Sequence, residues 1–95
     1  MYLEVITPDN KIFAGEIEAV QLPGIDGSFQ ILNNHAAIIS ALTNGKLKVN
    51  TTNAIEKENK KWVGVEFTND SKIIYIPITG GVVEMQQNKI IVLAE

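Results

Sequence analysis

The stretch Lys46-Leu-Lys-Val-Asn-Thr-Thr52 shows the clearest structural pattern in the chain. Leu47 and Val49 alternate with Lys46, Lys48 and Asn50, a period of two that places the apolar residues on one face of a strand. Asn44-Gly45 precedes the stretch and is typical of a tight turn. This segment therefore predicts a half-buried β-strand that begins at a turn.

The same pattern repeats along the rest of the chain. Short apolar runs are separated by turn residues, and β-branched side chains are frequent. We predict separate strands over 12–14 and 16–22, interrupted by Gly15, and a further strand over 62–68. Pro23-Gly24 is suited to the central positions of a type II turn, and Asp26-Gly27 to a tight hairpin turn. Two positions depart from simple alternation: the phase slips between Ala19 and Val20, which predicts a bulge or a residue buried on both sides, and Pro77 predicts an edge position or a bulge. Residues 36–42 fit either a strand or a helical turn. The chain thus predicts an all-β fold, a sandwich or closed barrel of nine or ten short strands.

Composition restricts the function. The chain has 95 residues, a net charge of −3, 45% hydrophobic residues and no cysteine. We expect one domain, 1–95, with an aliphatic core and no thiolate metal site. The acidic balance argues against nucleic-acid binding. No apolar run is long enough for a membrane span, and the N-terminus lacks the pattern of a secretion signal, so we expect a cytosolic setting.

Catalytic and metal-binding groups are scarce. His35 is the single histidine, so a zinc site is not expected, and neither metal nor cofactor is predicted. Asp26, Ser28 and His35 lie close in sequence, but no nucleophile elbow accompanies them, and turn chemistry explains Asp26 and Ser28. We therefore predict a protein without catalytic activity. One alternative is a free-standing sandwich that binds carbohydrate or peptide, although aromatic residues for such a site are few.

Several motifs occur in an order that resembles a known family. They are Leu-x-Val-x-Thr-Pro (3–8), Phe-Ala-Gly (13–15), Val-Gln-Leu-Pro-Gly-Ile-Asp-Gly (20–27), Phe-Gln-Ile-Leu-Asn-Asn-His-Ala (29–36), Gly-Lys-Leu-Lys-Val (45–49) and the closing segment 80–95. Together they resemble the N-terminal domain of the epsilon subunit of F-type ATP synthases. The resemblance covers residues 2–50 and 72–95, and it implies a sandwich of about ten strands in two sheets.

The resemblance also implies a function. Such a domain is a non-catalytic part of the rotating central stalk: it links the gamma subunit to the membrane c-ring and couples proton flow to ATP synthesis. This would place the chain peripherally at the cytoplasmic face of the bacterial inner membrane. Asp26, Gly27 and Ser28 match the loop that meets the c-ring, whereas His35 and Ser40 should lie toward gamma.

This sequence departs from the family in five places. Ser28 stands where many members have glutamate, Gln30 where they have glycine, and Ala37 where they have proline. Losing the glutamate leaves Asp26 as the expected acidic contact with the c-ring. Residues 53–67 resemble an insertion, and the chain ends where a C-terminal helical hairpin would begin. Because that hairpin carries the inhibitory arm of the family, we do not expect these residues to inhibit ATP hydrolysis.

Overall fold

The fold was analysed in a computed structural model, which describes residues 1–55 and 63–95. Within those ranges the chain forms nine strands and no helix. The strands are β1 (Tyr2–Ile6), β2 (Lys11–Gly24), β3 (Gly27–Leu32), β4 (Ile38–Leu42), β5 (Gly45–Thr51), β6 (Glu66–Phe67), β7 (Ile73–Ile78), β8 (Gly81–Gln86) and β9 (Lys89–Ala94). The all-β prediction is confirmed.

The strands are arranged in two layers that share β2. One layer contains β3, the second half of β2, β5, β7 and β6, all antiparallel. The other runs from the first half of β2 through β1, β9 and β8 to β4, and β1–β9 is its one parallel pair in the described residues. A single pair between Gly24 and Leu42 returns this layer to β2. Because β2 bends from one layer into the other, the sandwich is one continuous hydrogen-bonded sheet.

The core lies between the layers and is mostly aliphatic, as composition predicted. Both layers contribute alternate side chains, so the period of two seen in the sequence appears directly in the burial pattern. The largest fully buried side chains are Phe13, Leu3, Ile17, Leu22, Ile31, Leu47, Ile74, Ile76, Met85, Ile90, Val5 and Val20. The prediction that Leu47 and Val49 point inward is confirmed.

The structure also shows the conformation of the segments whose sequence pattern was irregular or ambiguous. Ala19 and Val20 are both buried, and the β2–β5 register shifts between Ile17 and Ala19, which confirms the predicted irregularity. Pro77 pairs with Lys46 of β5, beyond the short stretch of β7 that β6 covers, and so lies at a local edge. Residues 36–42, for which strand and turn were both open, form β4 from Ile38 onward.

Two predictions about strand boundaries are wrong. The runs 12–14 and 16–22 were expected to be separate strands, but both belong to the 14-residue β2, which passes through Gly15. A strand was expected over 62–68, yet in the described part of it only Glu66–Phe67 pairs with β7, and Val63 is exposed. Alternation indicates which side chains could share a face, but a strand also needs a paired neighbour, and in the described residues this segment pairs only with Ile74 and Tyr75 of β7.

The predicted insertion at 53–67 lies partly outside the described residues, since 56–62 fall between the two ranges. On one flank the Ile55 amide donates to the Ser71 carbonyl at 2.8 Å. On the other flank β6 lies beside β7. Both flanks are therefore attached to the same margin of the sandwich, and the assignment of this segment as an insertion stays a prediction.

Candidate functional site: two surfaces of the sandwich

The first surface is the tip of the β2–β3 hairpin. Gly24 pairs with Gly27, which leaves Ile25 and Asp26 as the two residues of the turn. Gly27 has a φ of +124°, a conformation that glycine adopts at little cost. Ile25 is 63% exposed, and Asp26, Gly27 and Ser28 are exposed beside it. A hairpin turn was predicted at Asp26-Gly27; the hairpin is confirmed, but its two central residues are Ile25 and Asp26, and Gly27 begins β3.

The structural role of Pro23-Gly24 differs from the prediction. It was expected to occupy the central positions of a turn, but both residues lie within β2 and pair with Ser28 and Gly27. A Cβ atom on Gly24 would lie 2.6 Å from the Gly27 carbonyl oxygen and 2.8 Å from the Phe29 ring. Glycine is required here because the two strands and the ring approach closely, rather than because of a turn.

A cleft of about 450 Å³ lies between this hairpin tip and β4. Its lining includes Asp26, Gly27 and Ser28 together with Ser40. Two backbone hydrogen bonds hold the walls in place: the Ile25 amide donates to the Ala41 carbonyl at 3.2 Å, and the Thr43 amide donates to the Pro23 carbonyl at 2.8 Å. The structure thus brings Ser40 next to the three loop residues from which the sequence analysis had separated it.

His35 lies at the opposite end of β3. Ser28 and Leu32 are both strand residues, so roughly 13 Å of strand separates Ser28 from the start of the loop that carries His35. Residues 33–37 of that loop are exposed. The imidazole Nδ1 lies 2.7 Å from the Ala36 carbonyl oxygen and donates to it. A triad of Asp26, Ser28 and His35 is therefore excluded by distance, in agreement with the sequence analysis.

The second surface was not recognised in the sequence. On the outside of the β4–β8–β9–β1 layer, cross-strand pairs form a row from Ala41 through Val82 and Leu93 to Ile6. Ile39 and Ile91 lie in the adjacent row, which also contains Glu84 and Glu4. We call this set the apolar face: Ile6, Ile39, Ala41, Val82, Ile91 and Leu93.

The apolar face is accessible to solvent. Ile39 is 75% exposed, Leu93 56% and Val82 42%. Single exposed apolar residues are ordinary on proteins, but a contiguous group across several strands is typical of an interaction surface. A signal for it was present in the sequence, since Ile38-Ile39, Val82-Val83 and the run 90–93 are apolar at consecutive positions rather than alternate ones. Such runs indicate strands that are covered on both faces.

Charged residues border the apolar face on its β1 side. The Glu4 carboxylate forms ion pairs with the Nζ atoms of Lys11, at 3.7 Å, and Lys89, at 3.5 Å. The Lys89 ammonium also lies 5.8 Å from the centre of the Tyr2 ring. Glu84 is an exception, since it lies within the face between Ile39 and Ile91. Apolar side chains bordered by charged residues are the usual composition of a protein–protein interface.

The described residues offer little to catalysis or to metal binding. Among residues 1–55 and 63–95, no group of three or more His, Asp or Glu side chains is arranged to hold a metal ion. Those same ranges also contain no helix that could cross a membrane. The two surfaces present hydroxyl, carboxylate and apolar side chains, a combination that suits recognition of another macromolecule.

Comparison with known proteins identifies the family. A family described as "ATP synthase, Delta/Epsilon chain, beta-sandwich domain" matches residues 1–66. The ATP synthase epsilon chain of Chlorobium limicola is 34% identical over 98% of this chain and 86% of its own length. That of Maridesulfovibrio salexigens is 34% identical over the whole of this chain, which spans only 54% of the relative.

A solved structure shares the fold. A chain in the Tetrahymena thermophila mitochondrial ATP synthase central stalk and c-ring superposes with a TM-score of 0.67, at 22% identity, over 99% of this chain and 62% of its own length. The epsilon chain is a non-catalytic subunit, which agrees with the prediction that this protein is not an enzyme. The sequence matches and the sandwich architecture together show that this chain belongs to the family of ATP synthase delta/epsilon chains, whose β-sandwich domain matches residues 1–66.

Proposed function

We propose that this domain is a rotor part of an F-type ATP synthase, with the gamma subunit packed on the apolar face and the c-ring against the β2–β3 hairpin tip. The main support for this proposal is the apolar face, because six apolar residues on the outside of one layer indicate a surface that a partner covers in the assembled protein. The domain would then couple proton flow to ATP synthesis as a rigid connector, peripherally at the cytoplasmic face of the bacterial inner membrane.

The positions of the two surfaces support this arrangement. The hairpin tip and the apolar face meet at Ala41, whose carbonyl accepts the Ile25 amide. Ser40 lies at that junction, in the cleft, and His35 precedes β4 at the other end of the apolar face. The predicted contact of His35 with gamma fits this geometry. Ser40 is half-buried and, by strand alternation, lies on the opposite side of β4 from Ile39 and Ala41, so its contact with gamma stays a prediction. The related Tetrahymena chain was solved within a central stalk and c-ring.

Rigidity is the second requirement for a rotor part. The buried aliphatic core and the continuous sheet leave little freedom for relative motion of the layers. Torque can therefore pass between the two surfaces without deformation of the domain between them. No bound cofactor is needed for this function.

The experiment measures binding of purified gamma subunit to the 95-residue chain by calorimetry, with a polar substitution on the apolar face. Burying a leucine completely is worth about 1.5–3 kcal/mol, and Leu93 is 56% exposed, so its burial should contribute about 1–1.5 kcal/mol. Leu93→Ser should then weaken binding about tenfold. Adding Ile39→Ser should weaken it further by a similar factor.

Leu32→Ser is the matched control. Leu32 is 54% exposed, almost as much as Leu93, but it ends β3 outside the apolar face. The Leu32→Ser variant should bind gamma with the same affinity as the unaltered chain. Equal loss with both serine variants, or no binding of the unaltered chain where a known epsilon chain binds, would refute the proposal. Binding of a carbohydrate or peptide instead would support the free-standing module.

A separate substitution tests the c-ring side. Ser28 is exposed at the hairpin tip, where many members of the family have glutamate. Ser28→Glu adds a second carboxylate next to Asp26, and it should strengthen binding to detergent-solubilised c-ring, less so at high salt. Ser28→Gln controls for size. A glutamate variant that binds no better than the glutamine variant would contradict the assignment of this loop.

A further inference from the structure

The loop that carries His35 crosses between the two layers. It consists of residues 33–37, all exposed, between β3 and β4. Inside the loop the His35 amide donates to the Leu32 carbonyl at 3.1 Å, and the imidazole Nδ1 bonds to the Ala36 carbonyl. A loop without buried side chains depends on such hydrogen bonds for its conformation, because packing contributes little.

Two side-chain hydrogen bonds attach this loop to the β8–β9 hairpin. Asn88 Nδ2 donates to Asn33 Oδ1 at 2.9 Å, and the Asn34 amide donates to Asn88 Oδ1 at 3.0 Å. We call Asn33, Asn34 and Asn88 the asparagine cluster. Asn88 itself is held firmly, since its carbonyl accepts the Tyr2 amide at 3.1 Å. One carboxamide thus bonds two successive residues of the loop immediately before His35.

From this geometry we infer that Asn88 is a positioning residue for His35, an inference that rests on the proposed contact of His35 with gamma. By bonding both Asn33 and Asn34, Asn88 fixes the direction in which the chain leaves β3. His35 follows at once and is thereby held beside the start of β4. The β8–β9 hairpin, which has no assigned contact of its own, acts on the gamma surface through this link.

The residue type at position 88 follows from two requirements. Asn88 has a φ of +62°, which asparagine, aspartate and glycine tolerate best. Its side chain must also accept from the Asn34 amide and bond to the Asn33 carboxamide. Glycine meets the first requirement alone, so Asn88→Gly removes the link and keeps the turn.

Aspartate meets both requirements when one partner adapts. In Asn88→Asp the carboxylate still accepts from the Asn34 amide, and the Asn33 carboxamide turns over to donate its NH₂ group. In Asn33→Asp the new carboxylate accepts from Asn88 Nδ2, so that bond persists. In the double variant two carboxylates face each other with no proton between them, so the bond between positions 33 and 88 is lost, and their repulsion pushes residue 88 away from the Asn34 amide as well.

The test compares these four variants of the 95-residue chain in three measurements: thermal unfolding, amide hydrogen exchange of His35, and affinity for purified gamma subunit. In the Asn88→Gly variant, the His35 amide should exchange about tenfold faster and the affinity for gamma should fall about fivefold, whereas Tm should not fall. Each single aspartate variant should resemble the unaltered chain, and the double variant should resemble Asn88→Gly.

His35→Ala supplies the control for coupling. If Asn88 acts through His35, Asn88→Gly should weaken gamma binding no further once His35 is already alanine. Unchanged His35 exchange in Asn88→Gly, or equal losses in Asn88→Gly and Asn88→Asp, would overturn the inference. If the unaltered chain does not bind gamma, the proposed function fails, and the exchange data still decide whether Asn88 holds the loop.

Discussion

Gly81 provides a test of how this sandwich is packed. It begins β8, pairs with both Leu42 and Ala94, and has a φ of +148°. A Cβ atom added there would lie 2.2 Å from the Leu93 carbonyl oxygen and 3.0 Å from the Ala94 Cα. Both atoms are backbone of the neighbouring strand, so they cannot rotate away as the end of a side chain could. In the Gly81→Ala variant, either β9 must be displaced or residue 81 must move away from it.

The magnitude combines two costs. A residue with a Cβ held at an unfavourable backbone angle costs about 1–3 kcal/mol, and forcing extra volume into a packed site costs about 1–3 kcal/mol. Their sum, about 4 kcal/mol at mid-range, is a large part of the roughly 5–15 kcal/mol that stabilises a domain. For a chain of this size it should lower Tm by roughly 16–32 °C.

Gly27→Ala separates the two costs. Gly27 also has a positive φ, +124°, but no atom lies within 4 Å of its added Cβ. The Gly27→Ala variant should lose only the cost of the unfavourable backbone angle, about 1–3 kcal/mol of the free energy of unfolding. Urea unfolding followed by far-UV circular dichroism measures both variants. If Gly81→Ala is no less stable than Gly27→Ala, the close approach to Leu93 does not have the assigned effect.

Three further predictions concern stability. Ile76→Ala, at a fully buried site, should lower the free energy of unfolding by about 2–5 kcal/mol in urea titration, whereas Ile39→Ala should leave it nearly unchanged; similar losses would contradict the assigned burial. Thr51→Val should cost about 1 kcal/mol by the same titration, because the buried hydroxyl donates to the Asn53 carbonyl at 2.7 Å; a neutral result would show that this bond is dispensable. Gln87→Gly should raise Tm by a few degrees, since residue 87 has a φ of +52°; a lower Tm would refute this.

Most of the fold was predictable from the sequence. The period of two in β1, β5 and β7 reappeared as alternate burial, because a half-buried strand can bury only one of its faces. Boundaries were less predictable. Gly15 and Pro23-Gly24 were interpreted as interruptions, but β2 continues through all three because its pairing partners change along its length.

The candidate site was predicted in part. The hairpin tip followed from Asp26-Gly27, since turn chemistry is local. The apolar face did not, because Ile39, Val82 and Leu93 come from three separated segments that only the strand order makes adjacent. The asparagine cluster depends likewise on a contact between positions 33 and 88.

The sequence alone therefore determined the all-β class, the aliphatic core, the lack of catalytic groups and the family, all of which depend on residue type, local period or motif order. The tertiary structure decided which outer face is apolar, that Ser40 shares a cleft with Asp26, and that Asn88 hydrogen-bonds to Asn33 and Asn34. These features arise from which distant strands become neighbours. Local alternation and turn chemistry set the register of a single hairpin, but they do not specify the order of strands that are far apart in the chain.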